Sequence, residues 1–310
     1  MVSILLWASS VPVSRIVLEG FGFLSGTAIT LLAAGLFLLG LTTWRNGGLG
    51  WVRRLRWPHL SLCGPLFVGY MLLLYAAVGL AASRDQAIVA GLANYLWPAL
   101  ILVFSVVILR IRVRRIGLAV GILACLAGVV LAASGDLGGW DGMARALSEA
   151  SRALALGAGA AVCWGLYSVL ARVFEQTESS GAIGLLLVAT AGAAVALGGG
   201  PLPATGVGWR EVAAAAYMAL LPNSLAYWLW DEAMRDGSVP TLGALANAIP
   251  ILSTALGTLV LGLSFRVELL AGAGLVTVGA AVSRLSFRSG TSPGDARPPE
   301  ATAGPSETPS

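Results

Sequence analysis

The sequence predicts an all-α membrane protein in which ten transmembrane helices form two inverted five-helix repeats around a central cavity. Three observations predict it. Of 310 residues, 57% are hydrophobic and 11% charged, with a mean hydropathy of +0.84, whereas soluble domains carry about 25% charged residues. The apolar residues run in blocks long enough to cross a hydrocarbon core of about 30 Å as helices, without the strict alternation of barrel strands. Short motifs recur, once in each half of the chain.

Breaking the apolar blocks at Arg, Gly/Pro and polar clusters delimits the spans in order. They are Val2 to Leu18, Gly22 to Thr43, Leu60 to Ala82, Gln86 to Leu109 and Ile116 to Ser134, then Ala153 to Val173, Gly181 to Gly199, Val212 to Trp230, Val239 to Ser264 and Leu269 to Ser283. The first is read as a retained helix and not a cleaved signal peptide, because no basic segment precedes it and the second half holds its repeat partner. The first repeat covers 1–135, an extracytoplasmic linker 136–151 and the second repeat 152–288. The segment 289–310, rich in Pro, Ser, Thr and Gly, is expected to be a disordered cytoplasmic tail.

All 19 basic residues are Arg. Most fall in segments that are cytoplasmic if the N-terminus is inside, notably Arg45, Arg53, Arg54 and Arg56 and then Arg110, Arg112, Arg114 and Arg115. The opposite side holds Arg15, Arg84, Arg145, Arg152, Arg210 and Arg266, so both termini are expected in the cytoplasm. The net charge of +4 thus reports membrane orientation and no nucleic-acid partner.

The repeat organises the chain. Trp7-Ala8 followed by Arg15 matches Trp164-Gly165 followed by Arg172, and Leu92-Ala93-Asn94 followed by Pro98 matches Leu245-Ala246-Asn247 followed by Pro250. Five spans per half make the repeats inverted in the membrane, which is a transporter signature because the halves can exchange conformations.

The residues available exclude most catalysis. The absence of Lys removes Schiff-base chemistry. His59, the only His, is expected to be solvated in an Arg-rich loop, and Cys63, Cys125 and Cys163 are read as buried thiols without metal-like spacing. Carboxylates avoid the span interiors, which removes an obvious proton relay and a counter-ion for cationic cargo. Arg avoids them too, and phosphate cargo would need such a clamp. We therefore expect no enzyme, cofactor or metal, and a neutral or zwitterionic solute.

Aromatic and polar placement supplies the candidate site. Trp97 and Trp164 fall near midspan, while Trp44, Trp51, Trp57, Trp140, Trp209, Trp228 and Trp230 fit the interfacial belt. Ser3, Trp7, Ser10 and Ser14 form one stripe on the first span, and Gly243, Asn247, Pro250 and Thr254 repeat the spacing on the ninth. Both interhelical packing and cavity lining explain such stripes. Pro98 and Pro250 lack an N–H, which frees the carbonyls of Asn94 and Ala246 and bends the helix, with Gly91 and Gly243 close by to flex. Static kinks are the plain alternative. The freed carbonyls and Asn amides can hold an ammonium or a carboxylate, and aromatic faces can hold a ring.

On these residues the sequence resembles the drug/metabolite transporter superfamily with EamA-type repeats, over Met1 to Phe287. Trp7 and the run Ala246-Asn247-Ala248-Ile249-Pro250 through Gly272-Ala273-Gly274 carry the superfamily likeness, and Ala93-Asn94-Tyr95-Leu96-Trp97-Pro98 with Ser134-Gly135-Asp136 resembles the aromatic amino acid exporter branch, the YddG-like proteins. The resemblance implies a ten-helix basket around an apolar cavity that exports aromatic and other amino acids. By position it implies Tyr95, Trp97 and Trp164 as lining residues, then Trp7, Asn94 and Tyr75. Many superfamily members carry Glu after the ninth span, where this chain has Ser264-Phe265.

The reading is a facilitative carrier for aromatic and large apolar amino acids, a monomer in the lipid bilayer. Trp97 and Trp164 would stack on cargo, Asn94 and Asn247 make polar contacts, and Gly91, Pro98, Gly243 and Pro250 act as hinges. A multidrug or other metabolite exporter, an intramembrane enzyme and a passive scaffold are the alternatives.

Overall fold

A computed structural model describes residues 2–110, 113–133, 139–174, 179–199, 206–230 and 246–286, and every regular element among them is helical. Helices α1 (Val2–Phe21) and α2 (Phe23–Arg45) are joined through Gly22, whose φ of 79° suits a residue without a Cβ. A 3-10 turn at Leu49–Arg54 and a π-helical turn at His59–Cys63 lead into α3 (Gly64–Gly79). There follow α4 (Arg84–Asn94), α5 (Trp97–Ile108), α6 (Arg115–Ala133), α7 (Gly139–Val173) and α8 (Ser179–Ala196). The set closes with α9 (Trp209–Leu220), which passes into a π turn at Leu221–Leu225, and with α10 (Ile249–Leu261) and α11 (Val267–Leu285). Among the described residues eight helical segments are long and apolar enough to cross a membrane, and Gly181–Ala196 and Ile249–Leu261 are shorter apolar helices.

The helices pack in matched sets. Helix α6 lies along α11, and α2 lies along α8. Helix α3 packs on α7 while α1 packs on α9, and α1 packs on α10 while α7 packs on α4 and α5. Small residues let the first two pairs approach to backbone contact. A Cβ on Gly128 would sit 2.6 Å from the carbonyl oxygen of Gly272, and one on Gly272 would sit 2.5 Å from that of Gly128. Gly121 and Gly279 reproduce this reciprocity at 2.6 Å each way, and a Cβ on Gly35 would meet the Gly184 oxygen at 2.8 Å.

Several expectations are corrected. The span read as Gln86 to Leu109 is two helices, with Tyr95 and Leu96 in a turn between them. Pro98 lies in the first turn of α5, where its missing N–H has no intrahelical partner to lose. The described part of the ninth span has the same form, with Asn247 and Ala248 in the turn before α10. Asn247 therefore takes the place of Tyr95, not of Asn94, because the two breaks align on the prolines. Helix α7 begins inside the segment read as a linker. His59 is 2% exposed instead of solvated, with neither ring nitrogen hydrogen-bonded, because the π turn directs it against Tyr167 at 6.1 Å. Cys63 and Cys125 are buried, but Cys163 is only half-buried. Gly243, the start of the ninth span, the Arg172 side chain and the tail lie outside what is described.

Candidate functional site

Both halves of the chain line one cavity of about 310 Å³, at the lower end of the roughly 300–1,000 Å³ usual for small-molecule sites. The α1 stripe turns inward and contributes Trp7, Ser10 and Val11, with Tyr70 and Leu74 arriving from α3. The α4–α5 break places Asn94, Tyr95 and Trp97 on the wall, and α5 continues it through Ile101 and Ser105 to Leu109. From the second half come Trp164, Ser168 and Val169 on α7, Tyr227 and Trp230 beyond the π turn, and Ile249 at the start of α10. Among the described residues no charged side chain lines this cavity, and no metal-binding cluster occurs.

The wall is a continuous aromatic lattice. Trp164 stacks on Tyr167 at 5.2 Å between centroids and lies 4.7 Å from Tyr70. Trp7 meets Tyr227 edge-on at 5.3 Å and Trp230 at 5.2 Å, and Tyr227 lies 6.4 Å from Trp164. These spacings are those of favourable offset and edge-to-face pairs. The indole N–H of Trp7 donates to the carbonyl of Pro222 at 3.1 Å, so the π turn fixes its ring plane.

One side of the cavity is polar. Asn94 is 4% exposed and its Oδ1 has no partner. An unpaired buried acceptor costs about 1–3 kcal/mol, which a ligand donor would recover. The first turns of α5 and α10 reach the same cavity through Trp97 and Ile249, and helix N-termini present free N–H groups to anions.

Of the residues singled out from sequence, Trp7, Asn94, Tyr95, Trp97 and Trp164 share this cavity. Tyr75 does not: it lines an adjoining pocket of about 40 Å³, and its hydroxyl accepts from Asn223 Nδ2 at 2.8 Å. Asn247 is half-buried and outside the lining. Gly91 faces α1, where a Cβ would lie 2.8 Å from Val11 Cγ1, so close packing explains the missing side chain. Pro250 is buried at the head of α10. Sequence reasoning missed Tyr70, Tyr227 and the wall position of Trp230, which it assigned to the interfacial belt. Tyr227 stands 152 residues after Tyr75, the separation of Pro98 and Pro250, so the repeat held its signal.

Comparison with known proteins bears on both halves. A family model described as the EamA-like transporter family matches residues 1–134 and 151–285. The aromatic amino acid exporter YddG of Salmonella typhimurium is 30% identical over 292 residues, covering 93% of this chain and 96% of that protein. The exporter of the same name from Ancylobacter novellus is 34% identical over 266 residues, 84% of this chain and 88% of that protein. The Escherichia coli (strain K12) protein is 26% identical over 295 residues, 94% and 97% of the two chains. A solved crystal structure superposes with a TM-score of 0.65 at 28% identity, covering 91% of this chain and 95% of that one. With membrane-length apolar helices in both halves and the family model matched across both, the chain belongs to the EamA-like transporter family.

Proposed function

We propose that this transporter exports aromatic and other apolar amino acids across the bacterial inner membrane by alternating access, down their own gradient. The observation that carries the reading is the aromatic-walled cavity shared by both halves, uncharged among the described residues. A zwitterion brings no net charge and needs no counter-ion. Its ring would lie between Trp164 and Trp7, with Trp97 closing over it. The ammonium would donate to Asn94 Oδ1 and face the surrounding rings, a cation–π contact of about 2 kcal/mol when desolvated. The carboxylate would meet the N–H groups opening α5. The exporters named above support this cargo.

The same proposal takes the chain as ten spans in two inverted repeats, 1–135 and 152–288, with both termini cytoplasmic and the monomer as the working unit. The family model matched in two stretches and the matched helix pairings support the repeat, and the Arg distribution supports the orientation. Gly91, Pro98, Gly243 and Pro250 would flex at the two breaks, and Asn247 would make its polar contact as the second break moves.

Uptake of radiolabelled tryptophan into liposomes holding the purified protein, with and without a pH gradient, tests this. Saturable flux indifferent to the gradient supports it. Flux that requires the gradient refutes the facilitative mode, and competition by cationic dyes without tryptophan flux favours a multidrug exporter instead.

A further inference from the structure

The cavity is lopsided along the bundle. Its walls run from Ser10 and Asn94 toward Leu109, which caps the far end of α5. In the other direction the adjoining pocket reaches Ser14, Tyr75 and Met218. Beyond it α1 carries Arg15 and Glu19 among the buried residues Leu18, Val78, Ala81, Ile88 and Leu261.

Arg15 is 9% exposed and engaged through Nε and Nη1. Its Nη1 donates to the carbonyls of Val78 at 2.7 Å and Ala81 at 2.9 Å, where α3 ends, and its Nε donates to Glu19 Oε1 at 2.8 Å. Arg84, the first residue of α4, grips the same carboxylate with both branches, Nε to Oε1 at 3.0 Å and Nη2 to Oε2 at 2.7 Å. Its remaining nitrogen, Nη1, donates to the carbonyl of Leu261 at 3.0 Å. That carbonyl ends α10, which stops at left-handed Gly262 with Leu263 N–H turned back to Thr258 O at 2.9 Å. One carboxylate thus ties α1, the end of α3 and the start of α4 to the end of a helix from the other half.

We infer that Arg15, Glu19 and Arg84 form a clasp that shuts this end of the transport path, and that Glu19 letting go of Arg84 opens it. This deepens the alternating-access reading and rests on it. The clasp is directional and reversible in a way apolar packing is not. Bidentate charge-assisted bonds hold firmly, yet the Arg84 and Glu19 side chains retain 37% and 30% exposure, so water can take over each bond as it breaks. Arg15, anchored on carbonyls, keeps Glu19 in place between openings. Under the proposed topology this is the extracytoplasmic end.

Thiol accessibility tests the clasp without cargo. In a background with Cys63, Cys125 and Cys163 replaced by Ala, Ser14→Cys reports access from the Arg84 side, and Ser168→Cys reports access from the other. A membrane-impermeant maleimide is applied to right-side-out and inside-out vesicles. Glu19→Gln should raise labelling of the first reporter from the Arg84 side about fivefold or more and lower that of the second from the opposite side, as a shift between two states requires. Adding Arg84→Gln to Glu19→Gln removes in addition only the bond to Leu261, so the second step should be smaller than the first. Arg84→Lys, which keeps the charge but not the fork, should give a smaller rise, and it decides the matter should Glu19→Gln not reach the membrane folded. Parental labelling rates in every folded variant overturn the clasp, as does a rise at both reporters together, which would mean general loosening. A chain that shows the expected pattern yet carries no tryptophan supports the clasp and refutes the cargo.

Discussion

Trp7 meets Tyr227 edge-on, with 5.3 Å between ring centroids and 65° between ring planes, and this contact joins the first helix of one half to the third span of the other. Through Tyr227, 6.4 Å from Trp164, the two repeat-related tryptophans belong to one wall. A wall built this way has no ring that moves alone.

Trp164→Ala removes the ring that stacks on Tyr167 and faces Tyr70. Aromatic pairs add about 0.5–1.5 kcal/mol beyond their area, so the KM for tryptophan export should rise about two- to tenfold while membrane insertion persists. Reconstituted flux alongside a detergent monodispersity profile checks both halves of that statement. Unchanged flux from inserted protein removes Trp164 from the site.

Asn94→Ala withdraws the unpaired Oδ1 from the cavity. Losing a hydrogen bond to a charged donor costs about 1.5–3 kcal/mol, so tryptophan should compete about tenfold less well or worse. Its deaminated analogue indole-3-propionate should be nearly unaffected. Competition for labelled tryptophan flux measures this, and equal losses for both ligands would mean that Asn94 shapes the wall without reading the ammonium.

Pro98→Ala restores an N–H in the first turn of α5, where no intrahelical acceptor needs it. Stability should hold, while a helix able to continue across Tyr95 and Leu96 should exchange more slowly. The expected outcome is a severalfold lower maximal flux with KM changed less than about twofold, read from the substrate dependence of counterflow. A change in KM alone would place Pro98 at the cargo and not at a hinge.

Gly128→Ala drives a Cβ to 2.6 Å from the Gly272 oxygen, a backbone atom that cannot swing aside. Overpacking of this kind costs about 1–3 kcal/mol, and the thermal unfolding midpoint should fall accordingly. Gly274→Ala on α11, with nothing within 4 Å, serves as the neutral partner measurement.

Much of this architecture was legible because a bilayer imposes coarse rules. Span length, Arg placement and the duplicated Trp and Pro motifs are set by hydrocarbon thickness and by repetition, and neither needs tertiary knowledge. The α1 stripe, with Ser3, Trp7, Ser10 and Ser14 at helical spacing, brings Trp7 and Ser10 to the cavity wall and Ser14 to the adjoining pocket. Trp230 was illegible because an indole near a span end has the same spacing whether it meets headgroups or Trp7. His59 misled because a π turn rotates the register, which no period of 3.6 anticipates. Asn247 was paired with Asn94 by matching letters, whereas the helix breaks align by their prolines one residue away.

The glycine contacts between α6 and α11 bear on how the chain is made. Gly121 and Gly128 close against Gly279, Ser283, Gly272 and Val276 of α11, which leave the ribosome after nearly all of the described residues. Until then that glycine face of α6 lacks its partner, so translation reaches α11 before α6 acquires its main neighbour. Assembly of this bundle is completed from the C-terminal end, and a ribosome stalled before α11 leaves an unfinished product rather than a smaller carrier.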